Sequence, residues 1–361
     1  MSDASTIQLI DMYLEEATAP LFLSGFFRSP PGNFHTSEEV EFDIQRDSEE
    51  VAVVVTDLTV GPRHNEASVY TSKRFKPPIY DEAGAVSAFD VMKRQPGQNP
   101  FASPDYGANA TRAAFQIFRK LENKIRRAIE WQCAQVLQTG QLTLVDSSGT
   151  ALYTIDFQPK ATHMATVSAT WATNGSTGAP LTDLATLANV VRRDGKIEPK
   201  RAIFGDSAWQ RFIANADVQK TLDLLRLGLG TVAPATRGQG ATYQGTFWIG
   251  GHYQIEAWTY SGVFKHPATG VITPYVSPDN VILLSDGRLD LTYGAIPIIV
   301  PPDQRALPFL PPRISSEGRG IDLTTNAWVT PDGKQVMVSA GTRPLTIPTA
   351  IDTFARLDVT A

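Results

Sequence analysis

The chain has 361 residues, 42% hydrophobic and 19% charged, enough for two domains around separate cores. Its one cysteine, Cys133, excludes an internal disulfide framework and a cysteine metal cage, and the net charge of −5 argues against a chain that binds nucleic acid over its whole surface. The opening MSDASTIQLIDMYLEEA carries acids where a secretion signal needs basic residues, and no stretch approaches the ~20 apolar residues of a membrane span. A cytoplasmic protein with no membrane partner is expected.

Residues 5–17 are predicted to form a short helix, because Ile7, Ile10, Leu14 and Ala17 recur at helical spacing. Such a helix needs a surface to dock on. The apolar cluster PLFLSGFFR at 20–28, with Phe22, Phe26 and Phe27, continues the same adhesive face. Two readings stand: a segment packed on its own domain, or an arm packed on a neighbouring subunit.

Residues 36–80 alternate apolar and polar at Val40, Phe42, Ile44 and again at Val51, Val53, Val55. One end is acidic, with Glu38, Glu39, Glu41, Asp43, Asp47, Glu49 and Glu50; the other is basic, with Lys73, Arg74 and Lys76. This reads as a long two-stranded ribbon whose strands carry opposite charge. A two-stranded ribbon is marginal alone, so copies of the chain could hold it. The plainer reading is an edge hairpin whose charges discourage aggregation.

Residues 111–138 contain no Gly or Pro and carry the stripe Ala114, Phe118, Leu121, Ile125, Ile129, Val136. Thr111 is the expected cap, Gly140 the expected stop, and the helix should run roughly 42 Å at ~1.5 Å per residue. Six basic residues against two acidic ones give it +4, while the rest of the chain carries −9. Arg112, Arg119 and Arg126 recur every seven residues along one side. That face is either solvated, or turned toward a polyanion such as DNA, or paired with acids of a neighbouring ribbon.

A hairpin is predicted from QLTLVD and ALYTIDF about Ser147-Ser148-Gly149, then a helix through Leu184, Leu187, Ala188 and Val191 ending near Gly195. RAIFGDSAWQRFIANADVQKTLDLL reads as strand, turn and helix, and the glycine-rich 228–246 as a mobile loop. Beyond 247 the chain is strand-rich, with two more strands in the tail after residue 334.

Two chemical motifs fail on context. Phe204-Gly205-Asp206-Ser207 resembles the nucleophile block of GDSL-type esterases, with Ser207 as nucleophile. That chemistry needs a histidine base oriented by an acid, and the tail has no Asp-x-x-His. The plainer reading is a turn in which Asp206 caps the helix of Trp209 and Phe212. Gly228-x-Gly230-x-x-Ala233 matches a dinucleotide fingerprint weakly, but it follows a helical stretch and runs into Pro234. His35, His64, His163, His252 and His266 show no metal-ligand spacing. No cofactor and no metal are expected.

The order of these elements resembles the major capsid protein of tailed phages, the lambda-type capsid protein E family in particular. The likeness rests on PLFLSGFFR at 20–28, FKPPIY at 75–80, IFGDSAWQRFIANADVQKTLD at 203–223, VSPDNVILL at 276–284 and TRPLTIPTAIDTFARLDV at 342–359. It implies an α+β capsid fold: an N-terminal arm (1–35), an extended loop (36–80), a peripheral domain (81–197) on the 111–138 spine, an axial domain (198–334), and C-terminal strands (335–361) returning to the peripheral domain. Phe22, Phe26 and Phe27 become arm anchors; Glu49, Glu50, Lys73, Arg74 and Lys76 become loop contacts; Arg112, Arg119 and Arg126 become DNA-facing candidates. Some relatives cross-link through a lysine, for which Lys73 and Lys76 are candidates. The implied partners are copies of the chain in hexamers and pentamers, a portal protein, separate scaffold and decoration proteins, and packaged DNA. The implied place is the virion, assembled in the host cytoplasm. The same fold also builds encapsulins, the alternative shell; an esterase using Ser207 is the alternative from another class.

Overall fold

The computed structural model describes residues 21–35, 39–44, 71–92, 106–146, 148–171, 178–223, 230–238, 240–286, 289–296 and 322–360. The expected helix at 5–17, together with Glu49 and Glu50, lies outside them. The ribbon is described at its base, where β1 (Val40–Ile44) pairs antiparallel with β2 (Thr71–Phe75). The chain continues through β3 (Tyr80–Ser87), α1 (Ala88–Met92), α2 (Tyr106–Thr139), β4 (Gln141–Val145), β5 (Ala151–Asp156), β6 (Met164–Thr166), α3 (Pro180–Gly195), β7 (Arg201–Phe204), α4 (Asp206–Ala214) and α5 (Ala216–Asp223). There follow β8 (Gly230–Gly238), β9 (Ala241–Ile249), β10 (Tyr253–Tyr260), β11 (Val263–Lys265), β12 (Ile272–Pro274), β13 (Asn280–Leu284) and β14 (Leu289–Tyr293). The last strands are β15 (Thr324–Val329), β16 (Gln335–Thr342), β17 (Pro344–Pro348) and β18 (Phe354–Asp358).

A seven-stranded mixed sheet, in the order β6-β18-β13-β7-β10-β9-β8, forms the larger layer. Side chains alternate across its faces. Ala202, Phe204, Val281, Leu283, Ala355 and Leu357 pack against α3 and α4. Ile203, Ile282, Leu284 and Phe354 face the second half of α2 and the N-terminal segment. Both faces are therefore covered, which is why Asn280–Leu284 is buried at every position. A three-stranded sheet, β15-β16-β3, lies under the first half of α2, where Ala114 meets Ala327 and Val338.

The spine helix is longer than its apolar stripe indicates. It starts at Tyr106, and Thr111 lies inside it, with its hydroxyl donating to the Gly107 carbonyl. Thr111 is therefore not the cap. Gly140 does end it, in the left-handed region at φ +64 with its N–H on the Val136 carbonyl.

Several expectations change. The glycine-rich 228–246 is mostly paired strand: β8 and β9 form a hairpin with register shifts at Val232/Ala235 and Thr236/Gly238. Glycines sit well at such irregularities. The tail supplies three strands, β16, β17 and β18. After β7 come two helices, broken at Asn215, whose side-chain oxygen accepts the N–H groups of Asp217 and Val218. Asp206 is the first residue of α4 and makes no capping bond; Gly205 holds the cap position. Boundaries at 198 and 334 do not follow the sheets. Residue 334 separates β15 from β16, which pair along their length, and β18 sits inside the large sheet beside β13. The cause is long-range pairing, which local composition does not carry.

Gly205 has a packing role in the esterase-like block. A side chain there would overlap the carbonyls of Ser277 and Pro278. Gly205→Ala is expected to lower stability by about 1–3 kcal/mol, measured by urea unfolding. Unchanged unfolding would show that the 277–278 turn can retreat.

Candidate assembly site

The N-terminal segment is joined to the body by one buried carboxylate. Glu130, in the second half of α2 and 0% exposed, lies in a buried stretch with Ile129, Cys133 and Ala134. Its oxygens accept the backbone N–H groups of Leu23 (2.6 Å) and Ser24 (2.8 Å) and the hydroxyl of Tyr260 (2.9 Å). Three elements meet there: the 3-10 turn Ser24–Phe26, the spine and β10. Burial raises the Glu130 pKa above its ordinary 4.5, and the bonds from Ser24, Leu23 and Tyr260 offset only part of that. Burial, reinforced by Glu130, pushes the Tyr260 phenol far up, so Tyr260 remains a donor.

Around this bond the phenylalanines pack within the chain. Phe22 meets Tyr260 at 5.2 Å, Trp258 at 5.4 Å and Phe26 at 5.1 Å. Phe27 is buried, and the Arg201 guanidinium lies over the Phe26 ring. These contacts of Phe22, Phe26 and Phe27 are made within their own subunit. The chain then runs beside β14. Arg28 N–H donates to the Leu289 carbonyl and His35 N–H to the Tyr293 carbonyl, and Phe34 stacks on Tyr293.

The three arginines of the spine do not act alike. Arg112 and Arg119 are exposed, without an ion pair among the described residues. Arg126 is committed inside the subunit: its guanidinium grips Asp322 with two bonds (2.7 and 2.6 Å), and Tyr293 donates to the same carboxylate (2.8 Å). Arg126 is thus held by a contact inside its own subunit. Its partner lies 196 positions away in sequence, which spacing cannot reveal. Nearby, Lys124 pairs with Glu82 at 2.6 Å.

At the ribbon base Arg74 stands opposite Glu41 and Lys73 opposite Phe42 in the strand register. Arg74 and Lys76 are exposed. Ser207 sits in the first turn of α4, with no histidine bonded to it among the described residues. His163 is elsewhere and buried, between the Phe354 carbonyl (2.9 Å) and Asp194 (3.2 Å). Among the described residues no group of His, Cys, Asp or Glu has metal-holding geometry, and no helix is long and apolar enough to cross a membrane. Sequence reading missed Glu130 and Asp322. A detectable signal existed for Glu130, a lone acid amid Ile129, Cys133, Ala134 and Leu137.

Glu130 and Asp322 lead to two predictions with opposite signs. Glu130→Gln turns an amide N–H₂ toward backbone donors and should cost about 1–3 kcal/mol. Because the folded Glu130 pKa is raised, the parent's advantage over this variant shrinks as pH rises from 4.5 through the folded value. Asp322 behaves conversely. Burial alone would raise its pKa, but Arg126 and Tyr293 hold it below its ordinary 3.8. That stabilisation is present above 3.8 and lost as pH falls through the lowered folded value. Arg126→Gln should flatten the acid limb of stability against pH; parallel limbs would refute the pairing.

Comparison with known proteins places this architecture. A solved prophage capsid protein from E. coli CFT073 matches with a TM-score of 0.62 at 15% identity, covering 95% of this chain and 94% of that one. A phage-related protein from Bordetella bronchiseptica RB50 matches at 0.48 and 11% identity, covering 94% and 92%. An encapsulin complex from Synechococcus elongatus PCC 7942 matches at 0.47 and 13%, covering 97% and 91%. No curated protein sequence matches significantly. The family model described as phage major capsid protein E matches residues 14–359. With nearly its whole length inside that match, the chain belongs to the phage major capsid protein E family, the shell-forming proteins of phage heads.

Proposed function

We propose that this capsid protein assembles into hexamers and pentamers that close an icosahedral head around double-stranded DNA, and that it performs no catalysis. The single observation that carries the reading is the family match over residues 14–359. Residues 36–80 act as the extended loop lying across a neighbour, with Glu49, Glu50, Lys73, Arg74 and Lys76 among its contacts. The axial role belongs to the seven-stranded sheet with α3, α4 and α5, and the peripheral role to α2 with β3, β15 and β16. A portal protein occupies one vertex, and scaffold and decoration proteins, where used, are separate chains. Assembly takes place in the host cytoplasm.

Arg112 and Arg119 are the remaining candidates for the inner, DNA-facing surface, through phosphate contacts without sequence preference. The purified chain, alone and with co-expressed head proteins, should give shells by electron microscopy and fast-sedimenting particles. A strictly monomeric protein whose esterase activity disappears in Ser207→Ala would falsify the assignment. Arg112→Gln with Arg119→Gln should leave empty shells normal and reduce the salt dependence of filled heads. If empty shells already fail, these arginines serve subunit contacts instead.

A further inference from the structure

Two segments, the stretch between β2 and β3 and the end of β14, come together at one place. The ribbon returns through Lys76–Ile79 into β3, and β14 ends at Tyr293 and continues toward residue 297. Arg343 sits between them, in the single-residue gap between β16 and β17. On one side of it Thr342 pairs with Tyr80 of β3; on the other Pro344 pairs with Tyr293 of β14. The Arg343 side chain is 0% exposed. Its Nη1 donates to the Ala295 carbonyl (2.6 Å) and its Nη2 to the Pro77 carbonyl (3.4 Å). Its own carbonyl accepts the Gly294 N–H (2.9 Å). Pro77 is buried, and its ring lies against Gly294, where an added Cβ would come within 3.2 Å.

Burying a guanidinium is unfavourable unless its N–H groups are used. Here the fork does what a lysine ammonium, a compact point charge, does poorly: it spans two carbonyls from different segments at once. We propose that Arg343 is the positioning residue of the ribbon, clamping its exit at Pro77 to the exit of β14 at Ala295 and so setting the direction in which the ribbon leaves the body. The importance of that direction rests on the reading of residues 36–80 as a loop that crosses a neighbour.

The test uses full-length subunits of the parent, Arg343→Met, Arg343→Lys and, as a control far from the ribbon, Val191→Ala in the core beneath α3. Hydrogen exchange over Thr71–Ser87 is measured in unassembled subunits beside thermal unfolding, and particle yield afterwards. Exchange over Thr71–Ser87 should speed up on the order of tenfold in Arg343→Met, less in Arg343→Lys, and not in Val191→Ala even where its loss of Tm is as large. Unchanged exchange in the arginine variants, or an equal rise in the control, overturns the clamp. If Arg343→Met does not fold, Arg343→Lys carries the same comparison. Faster exchange at the ribbon base with normal particle yield leaves the clamp standing and overturns instead the role given to the ribbon in assembly.

Discussion

A helix of 34 residues runs about 51 Å, and no single sheet of ordinary width covers it. The subunit solves this by giving α2 two floors. Its first half rests on β3, β15 and β16 through small residues such as Ala114 and Ala327. Its second half is covered by the N-terminal segment, β17 and the inner face of the large sheet. Glu130 lies in that second half and binds two of these covers by hydrogen bonds rather than by contact alone. The arrangement makes the spine an element that both sheets share, so a displacement of one floor relative to the other must bend or slide α2.

Net charge along the spine says less than the pairing of its members. The surplus of +4 suggests a uniform basic face, yet Arg126 and Lys124 have acidic partners within the subunit. Arg112, Arg119 and Lys120, in the first half of the helix, are exposed. A buried or half-buried pair and a solvated cation look identical in a charge count. They differ in what their removal does, one lowering fold stability and the other altering only encounters with other molecules.

Local periodicity carried much of the fold. The stripe of α2, the end of α3 at Gly195, the β4–β5 hairpin and the strands β10 and β13 all follow from residues close together in sequence. What stayed illegible depends on distant partners. Glu130 is bonded to residues 107 and 106 positions before it and 130 after it. The 228–246 segment has loop-like composition, but β10 offers β9 a neighbour, and β9 in turn organises β8. The Phe-Gly-Asp-Ser block looks chemical because a small residue before a helix start is common to nucleophile turns and to tight packing. The order of the elements pointed to the family, while the clamps that hold them together emerged only in three dimensions.

The place of β18 has a bearing on how the subunit is made. This strand, Phe354–Asp358, is not an edge: it pairs antiparallel with β13 and parallel with β6, and β6 reaches the sheet only through it. Without β18 the sheet would have an open slot: β13 would lose one neighbour and β6 its place in the sheet.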